Sequence, residues 1–211
     1  MMIPLALRDT ALTIAGLADT AQAPDFAAFR TQCLDQVKRL QDEIRASGQP
    51  ADVVEDAAYA QCALLDEVAL NRLQGDGRDA WERQPLQVDQ FASHDAGEAL
   101  IARIERRLAE AQPVLPLLAV FQAILGLGFQ GRYALDGAKA RSALMRAIDE
   151  RLHRAGVHPA DGPVLVAAIK PHRRLMDLSA LGWLAISVVG AGLVYLALDR
   201  WLALAIGRIP G

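Results

Sequence analysis

Apolar side chains recur at steps of three and four from Asp25 to Arg45, at Phe26, Phe29, Cys33, Val37, Leu40 and Ile44, with Arg30, Asp35, Lys38, Arg39 and Asp42 between them. That spacing predicts an amphipathic helix. Ser47, Gly48 and Pro50 end it, and Asp52 or Asp56 is placed to start the next. The following helix, Asp56 to Leu73, is apolar on nearly every side through Ala57, Ala58, Tyr59, Ala60, Cys62, Ala63, Leu64, Leu65, Val68, Ala69 and Leu70. Such a helix belongs in the middle of a protein. Asp66 and Glu67 are the anomaly within it. Buried ionised carboxylates are costly unless paired, so the two are expected to emerge at a surface cleft or to meet a cation.

Turn formers at Gly75 to Asp79 predict a loop leading to Trp81. A helix over Ala96 to Glu110 turns Leu100, Ile101, Ile104 and Leu108 inward and leaves Arg103, Arg106 and Arg107 as a largely solvated face. Pro113 to Phe129 is apolar except for Gln122, yet Pro116, Gly126 and Gly128 interrupt it, so it reads as a central core helix rather than a span. It breaks at Leu127, Gly128, Phe129, Gln130, Gly131, Arg132 and Tyr133, where the glycines imply a turn with unusual backbone angles. A last helix runs from Gly137 to Arg154, with Leu144, Ile148 and Leu152 on one stripe and Asp136 as candidate cap. No strand alternation and no internal repeat accompany these elements. The fold class is all-α.

Leu178 to Leu198 is a run of 21 residues without a charged side chain, about 31 Å as a helix and enough to cross a bilayer. Lys170, Arg173 and Arg174 precede it, whereas Asp199 offsets Arg200 and only Arg208 follows. The positive-inside bias then keeps the N-terminal part cytoplasmic. Trp183 on one side, and Tyr195 and Trp201 on the other, suit the two interfaces. The first twenty residues, with Arg8, Asp9 and Asp19, lack the form of a secretory signal. The expected organisation is a cytoplasmic helical domain at 1–155, a linker at 156–177, a transmembrane helix at 178–198 and a short periplasmic tail at 199–211.

Residues 1–177 carry a net charge of −4, which argues against nucleic acid as the main ligand and favours protein partners. Cys33 and Cys62 lie on apolar stripes and read as small core residues. His94, His153, His158 and His172 show no metal-ligand spacing, so neither metal nor cofactor is expected. Asp66 and Glu67 do not make a general acid and base, because helix neighbours point about 100° apart. No serine elbow or phosphate loop is present, Gly126, Gly128 and Gly131 do not form a dinucleotide fingerprint, and an enzyme is not expected. Two roles stay open for the acidic pair. Asp66 or Glu67 pairs with Arg132 and locks the central helix to the glycine turn, or the carboxylates line a cleft that receives a partner's basic or polar segment, or one carboxylate serves each role. On the second reading, replacing both by Ala weakens binding and leaves the fold intact.

Ala60 to Glu67 reading AQCALLDE, then Trp81 with Gln84, Pro85, Leu86 and Gln87, then Gly97 before a helix, then Leu127 to Tyr133 reading LGFQGRY, together resemble the TssL/DotU family of bacterial secretion systems. The order, the spacing and the C-terminal apolar run all match over most of residues 5–200. The resemblance implies a hook-shaped cytoplasmic body of two packed helical bundles with a C-terminal transmembrane helix in the bacterial inner membrane. It also implies a structural subunit of the type VI secretion membrane complex. Such a subunit joins a TssM/IcmF-like inner-membrane protein to a TssK-type baseplate subunit, links indirectly to an outer-membrane TssJ-type lipoprotein, and forms homo-oligomers within the complex. The related DotU/IcmH subunit of type IVB secretion is the alternative, and a general tail-anchored adaptor is another. Carried onto this chain, the resemblance assigns partner contact to Asp66 and Glu67 in the cleft, with Trp81, Phe129, Gly131, Arg132 and Tyr133 at the family's motif positions. Two features depart from the family's pattern. Asn71, Arg72 and Leu73 stand where a further tryptophan is usual, and Gly97 stands alone where a glycine pair is usual.

Overall fold

The computed structural model describes residues 4–19, 25–93, 95–134 and 137–157. All of them belong to the first of two units of the chain, Met1–Ala168, and none to the second, Ile169–Gly211. The expected span and tail, the linker beyond Val157, Asp136 and His94 lie outside the described residues.

The described chain is all-helical: α1 Leu5–Asp19, α2 Phe26–Ala46, α3 Ala51–Arg72, α4 Gly75–Arg83, α5 Leu86–Phe91, α6 Ala96–Ala109, α7 Leu115–Gly126, a single 3-10 turn Gly131–Tyr133, and α8 Ala138–Arg154. Asp25 caps α2, its carboxylate accepting from the Ala28 N–H at 2.9 Å. The helix expected to begin at Asp52 or Asp56 begins at Ala51 instead. Pro50, in extended backbone, offers its carbonyl to the N–H groups of Val53 and Val54. The expected loop at Gly75 to Asp79 is the start of α4. Gly75 takes a left-handed φ of 54°, and burial of Trp81 outweighs the low helix propensity of two glycines.

Helix α3 packs against α1, α2, α4 and α5, and also against α6 and α7, so two bundles share it. That explains its apolar character all round. In the first bundle Phe29, Cys33 and Val37 of α2 meet Ala58, Cys62, Leu65 and Ala69 of α3, with Trp81 and Leu86 closing the cluster. Both cysteines are buried and free there, and burial pushes the Cys33 thiol up to about 12. In the second bundle the buried side chains are Leu100, Ile101 and Ile104 of α6, Leu117, Leu118, Phe121, Ile124 and Leu125 of α7, and Leu144, Ile148 and Leu152 of α8. Among the described residues, the segment Leu115–Tyr133 is apolar and long enough by composition to cross a membrane. Its α-helical part, however, is 12 residues, about 18 Å, and it buries side chains against α3, α6 and α8. It is a core helix.

Arg103 and Arg107 are not a solvated face. Both reach Asp56, which is 2% exposed on α3: Arg103 Nη1 lies 2.6 Å from Oδ1 and Arg107 Nε 2.7 Å from Oδ2. Arg107 also holds Asp52 at 2.7 Å, and the Arg103 guanidinium lies over the Tyr59 ring at 4.0 Å. Arg106 projects mostly into solvent and reaches Asp56 Oδ2 only at 3.7 Å. A lone buried carboxylate at Asp56 would be costly, and the two arginines that remove the cost bolt α6 to α3.

Candidate functional site

Asp66 and Glu67 follow each other on the shared helix, so their side chains diverge by about 100° and enter different bundles. Asp66 turns toward the α4–α5 corner. Its Oδ1 accepts from Trp81 Nε1 and from the Leu86 N–H, and its Oδ2 from the Gln87 N–H, each at 2.9 Å. Pro85 lacks an N–H, so those backbone groups are the first free donors of α5, and the carboxylate caps them. Phe26 and Phe29 pack on the Trp81 ring, with centroids 6.1 and 5.2 Å away. Gln87 in turn donates its side-chain amide to the Tyr59 carbonyl at 2.7 Å. Arg30 ties α2 to the same corner, donating to the Gln84 carbonyl and pairing with Asp89.

Glu67 turns toward the glycine turn. Its Oε1 accepts from the Gln130 N–H at 2.8 Å and its Oε2 from the Gly131 N–H at 2.7 Å. Arg141 of α8 grips the same turn by its carbonyls, Nε donating to Phe129 O at 2.8 Å and Nη2 to Leu125 O. The turn is thus held by an anion on its donors and a cation on its acceptors. Burial raises the pKa of both Asp66 and Glu67 above the ordinary carboxylate range, against the pull of their donors, and burial lowers that of Arg141.

Gly131 adopts φ +53°, and a Cβ there would lie 2.6 Å from the Gly97 carbonyl oxygen. Gly97 is itself tight: a Cβ on it would lie 3.2 Å from the Gly131 Cα. The glycine that stands alone in the sequence is therefore the one that lets α6 touch the turn. Phe129 is buried beneath it. Arg132 and Tyr133 lie on the outer side. Arg132 pairs with Glu105 at 2.5 Å and Glu98 at 3.3 Å, both on α6, and the Tyr133 hydroxyl donates to Glu105 at 3.3 Å. The alternative in which Arg132 pairs with Asp66 or Glu67 is corrected: main-chain N–H groups occupy Glu67, so Arg132 is left to the glutamates of α6.

The seven residues singled out from sequence thus form two separate corners on different sides of α3. Asp66 and Trp81 make one; Glu67, Phe129, Gly131, Arg132 and Tyr133 make the other. Asp66, Trp81 and Phe129 are enclosed, whereas Arg132 and Tyr133 face solvent in part. Sequence reasoning missed Asp56 and Arg141. The signal was present, because Arg141 heads the apolar stripe of Leu144, Ile148 and Leu152, where a cation is as anomalous as the acids of α3.

The family described as "Type VI secretion system protein DotU" matches residues 3–201. The chain belongs to the DotU family. Among solved structures, SciP/TssL of the type VI system of enteroaggregative Escherichia coli 042 is 30% identical, with a TM-score of 0.61 over 78% of this chain and 95% of that one. The cytoplasmic domain of TssL from Acinetobacter baumannii is 26% identical, with a TM-score of 0.64 over 73% of this chain and 98% of that one. DotU from Francisella novicida, 19% identical with a TM-score of 0.57 over 71% and 99%, shares the fold. A search of curated proteins finds no match. As a DotU family member, the chain is a subunit of the type VI secretion membrane complex, and its helical body is similar in fold to the TssL structures.

Proposed function

We propose that this DotU family subunit works by binding rather than catalysis, joining a TssM/IcmF-like inner-membrane protein to a TssK-type baseplate subunit. The membrane link passes onward, through the former, to a TssJ-type lipoprotein. The apolar run 178–198 anchors the chain in the inner membrane, with residues 1–155 cytoplasmic and 199–211 periplasmic. Anchoring confines the domain to the plane its partners share and raises their effective concentration, so modest cytoplasmic contacts suffice for assembly. The observation that carries the contact site is the turn gripped by Glu67 and Arg141, which presents Arg132 and Tyr133 on a fixed backbone. In this proposal those two side chains meet the partner, while Asp66, Glu67, Trp81, Phe129 and Gly131 hold the two corners in place.

The test is affinity capture of the full-length chain from detergent-solubilised native membranes, read by mass spectrometry, beside an Arg132→Glu variant. Recovery of TssM-like and TssK-type proteins by the wild type, and loss of one of them by the variant, supports the proposal. Recovery of type IVB components in their place, or of neither set, refutes it.

A further inference from the structure

Charge is divided unevenly along the chain. Residues 1–95 carry twice as many acidic as basic side chains, whereas residues 96–157 carry more basic than acidic ones. Within the second part, the cations of α8 fall into two groups. Arg141 is spent on the carbonyls of Leu125 and Phe129, and Arg151 on those of Glu110 and Ala111 at the C-terminal end of α6. Both face inward and have a structural purpose. Lys139, Arg146 and Arg154 do not. All three are exposed, and no ion pair engages them among the described residues; Arg154 only donates to the carbonyl of Glu150 in its own helix.

Lys139 and Arg146 are a heptad apart and lie within about 20° of each other around the helix. Arg154 continues the same side one turn past Glu150, the single acid on this face, and small Ser142 and Ala143 lie between the cations. Asp149 turns away, accepting from Gln122 of α7 at 2.8 Å. We infer that this outer face of α8 lies against an anionic lipid surface. The inference rests on the anchored reading above: α8 is the last described helix before the cations Lys170, Arg173 and Arg174 and the apolar run, so a tethered domain holds this face within reach of headgroups. The acidic first part of the chain is repelled by the same surface, which adds to the orientation. Three cations less one acid bias the domain toward the docked arrangement by roughly thirty-fold at moderate ionic strength. That is too little to recruit a free protein and enough to orient a tethered one.

The test uses the full chain carrying Ser142→Cys, labelled with a fluorophore. Buried Cys33 and Cys62 compete poorly for the label. The chain is reconstituted into phosphatidylcholine vesicles with or without phosphatidylglycerol, and energy transfer to headgroup-labelled lipid is measured after flotation. High transfer only with phosphatidylglycerol, abolished by about 0.5 M salt and by combined Lys139→Gln, Arg146→Gln and Arg154→Gln, supports the inference. Equal transfer on both lipids, or transfer unchanged in the triple variant, overturns it. Transfer that follows protein density and ignores lipid charge also overturns it, and assigns the face to the acidic half of a second copy. A chain that floats with neither vesicle overturns the anchored reading, and this inference with it.

Discussion

Replacing Asp66 by Ala strands three donors at once: Trp81 Nε1–H and the N–H groups of Leu86 and Gln87. Each buried donor left unpaired costs about 1–3 kcal/mol. Removing the carboxylate recovers part of its own desolvation penalty, so the net loss should be about 3–4 kcal/mol. For a body of this size that lowers Tm by roughly 6–16 °C. Trp81 is a built-in reporter, since its ring donates directly to the residue being changed. In a Trp183→Phe, Trp201→Phe background it is the single emitter, and urea unfolding of the detergent-solubilised full chain can be followed by its fluorescence. Asp66→Asn should recover only part of the loss. Its oxygen can still serve Trp81 and Leu86, but its NH2 group then points at the Gln87 N–H. An Asp66→Ala chain within about 1 kcal/mol of wild type would refute the reasoning, because the stranded donors would then have found other partners. Should that stable variant also lose its secretion partners, Asp66 would be a recognition residue and not a cap.

Gly131→Ala should cost about 2–4 kcal/mol in thermal melting, from a positive φ and a clash with the Gly97 carbonyl, with Gly97→Ala milder because its nearest neighbour is farther. Arg141→Met should speed amide exchange selectively over residues 127–134, read by hydrogen-exchange mass spectrometry, with Arg141→Lys intermediate. Asp56→Asn should lower stability by about 3 kcal/mol, and a double-mutant cycle with Arg107→Met should return a coupling of about 1–3 kcal/mol. Burial raises the pKa of Glu67, so the fold holds a proton that the unfolded chain has released; that contribution is complete below the unfolded value of 4.5 and is lost as pH rises through the folded one. The stability advantage of wild type over Glu67→Gln, measured by denaturant titration, should therefore be greatest near about pH 4 and shrink toward neutrality.

Helices α2, α6 and α8 were legible because each buries one stripe against its neighbours, and that leaves a period in the sequence. Helix α2 was read to within a residue or two at each end, from Phe26 to Ile44 and the breakers after it. Helix α1 was missed because its buried face includes Thr10, which bonds to Gln36 and Gln61 and so looks like solvent surface in a pattern of apolar positions. Helix α4 was misread because its first residues are turn formers, and what holds it helical is the distant pocket that takes Trp81. The site shows the same division. That Asp66 and Glu67 sit wrongly in an apolar helix is a local fact and was seen. Their partners are mostly main-chain N–H groups 20 to 64 residues away, which composition does not display. Asp56 was read as a helix start by the same local habit, although its arginines lie on α6.

Glu67 grips the turn wholly through main-chain groups, and Arg141 does likewise from the other side. Neither grip senses which side chains stand at positions 130, 132 or 133. The shape of this loop and the identity of what it displays are therefore inherited separately. Substitutions at Arg132 and Tyr133 can rewrite the displayed surface without re-engineering the body, so long as Gly131, Phe129 and the two gripping residues stay. If the proposed contact is made there, a lineage whose partners drift can follow them one side chain at a time, and an engineer can redirect the subunit by the same route.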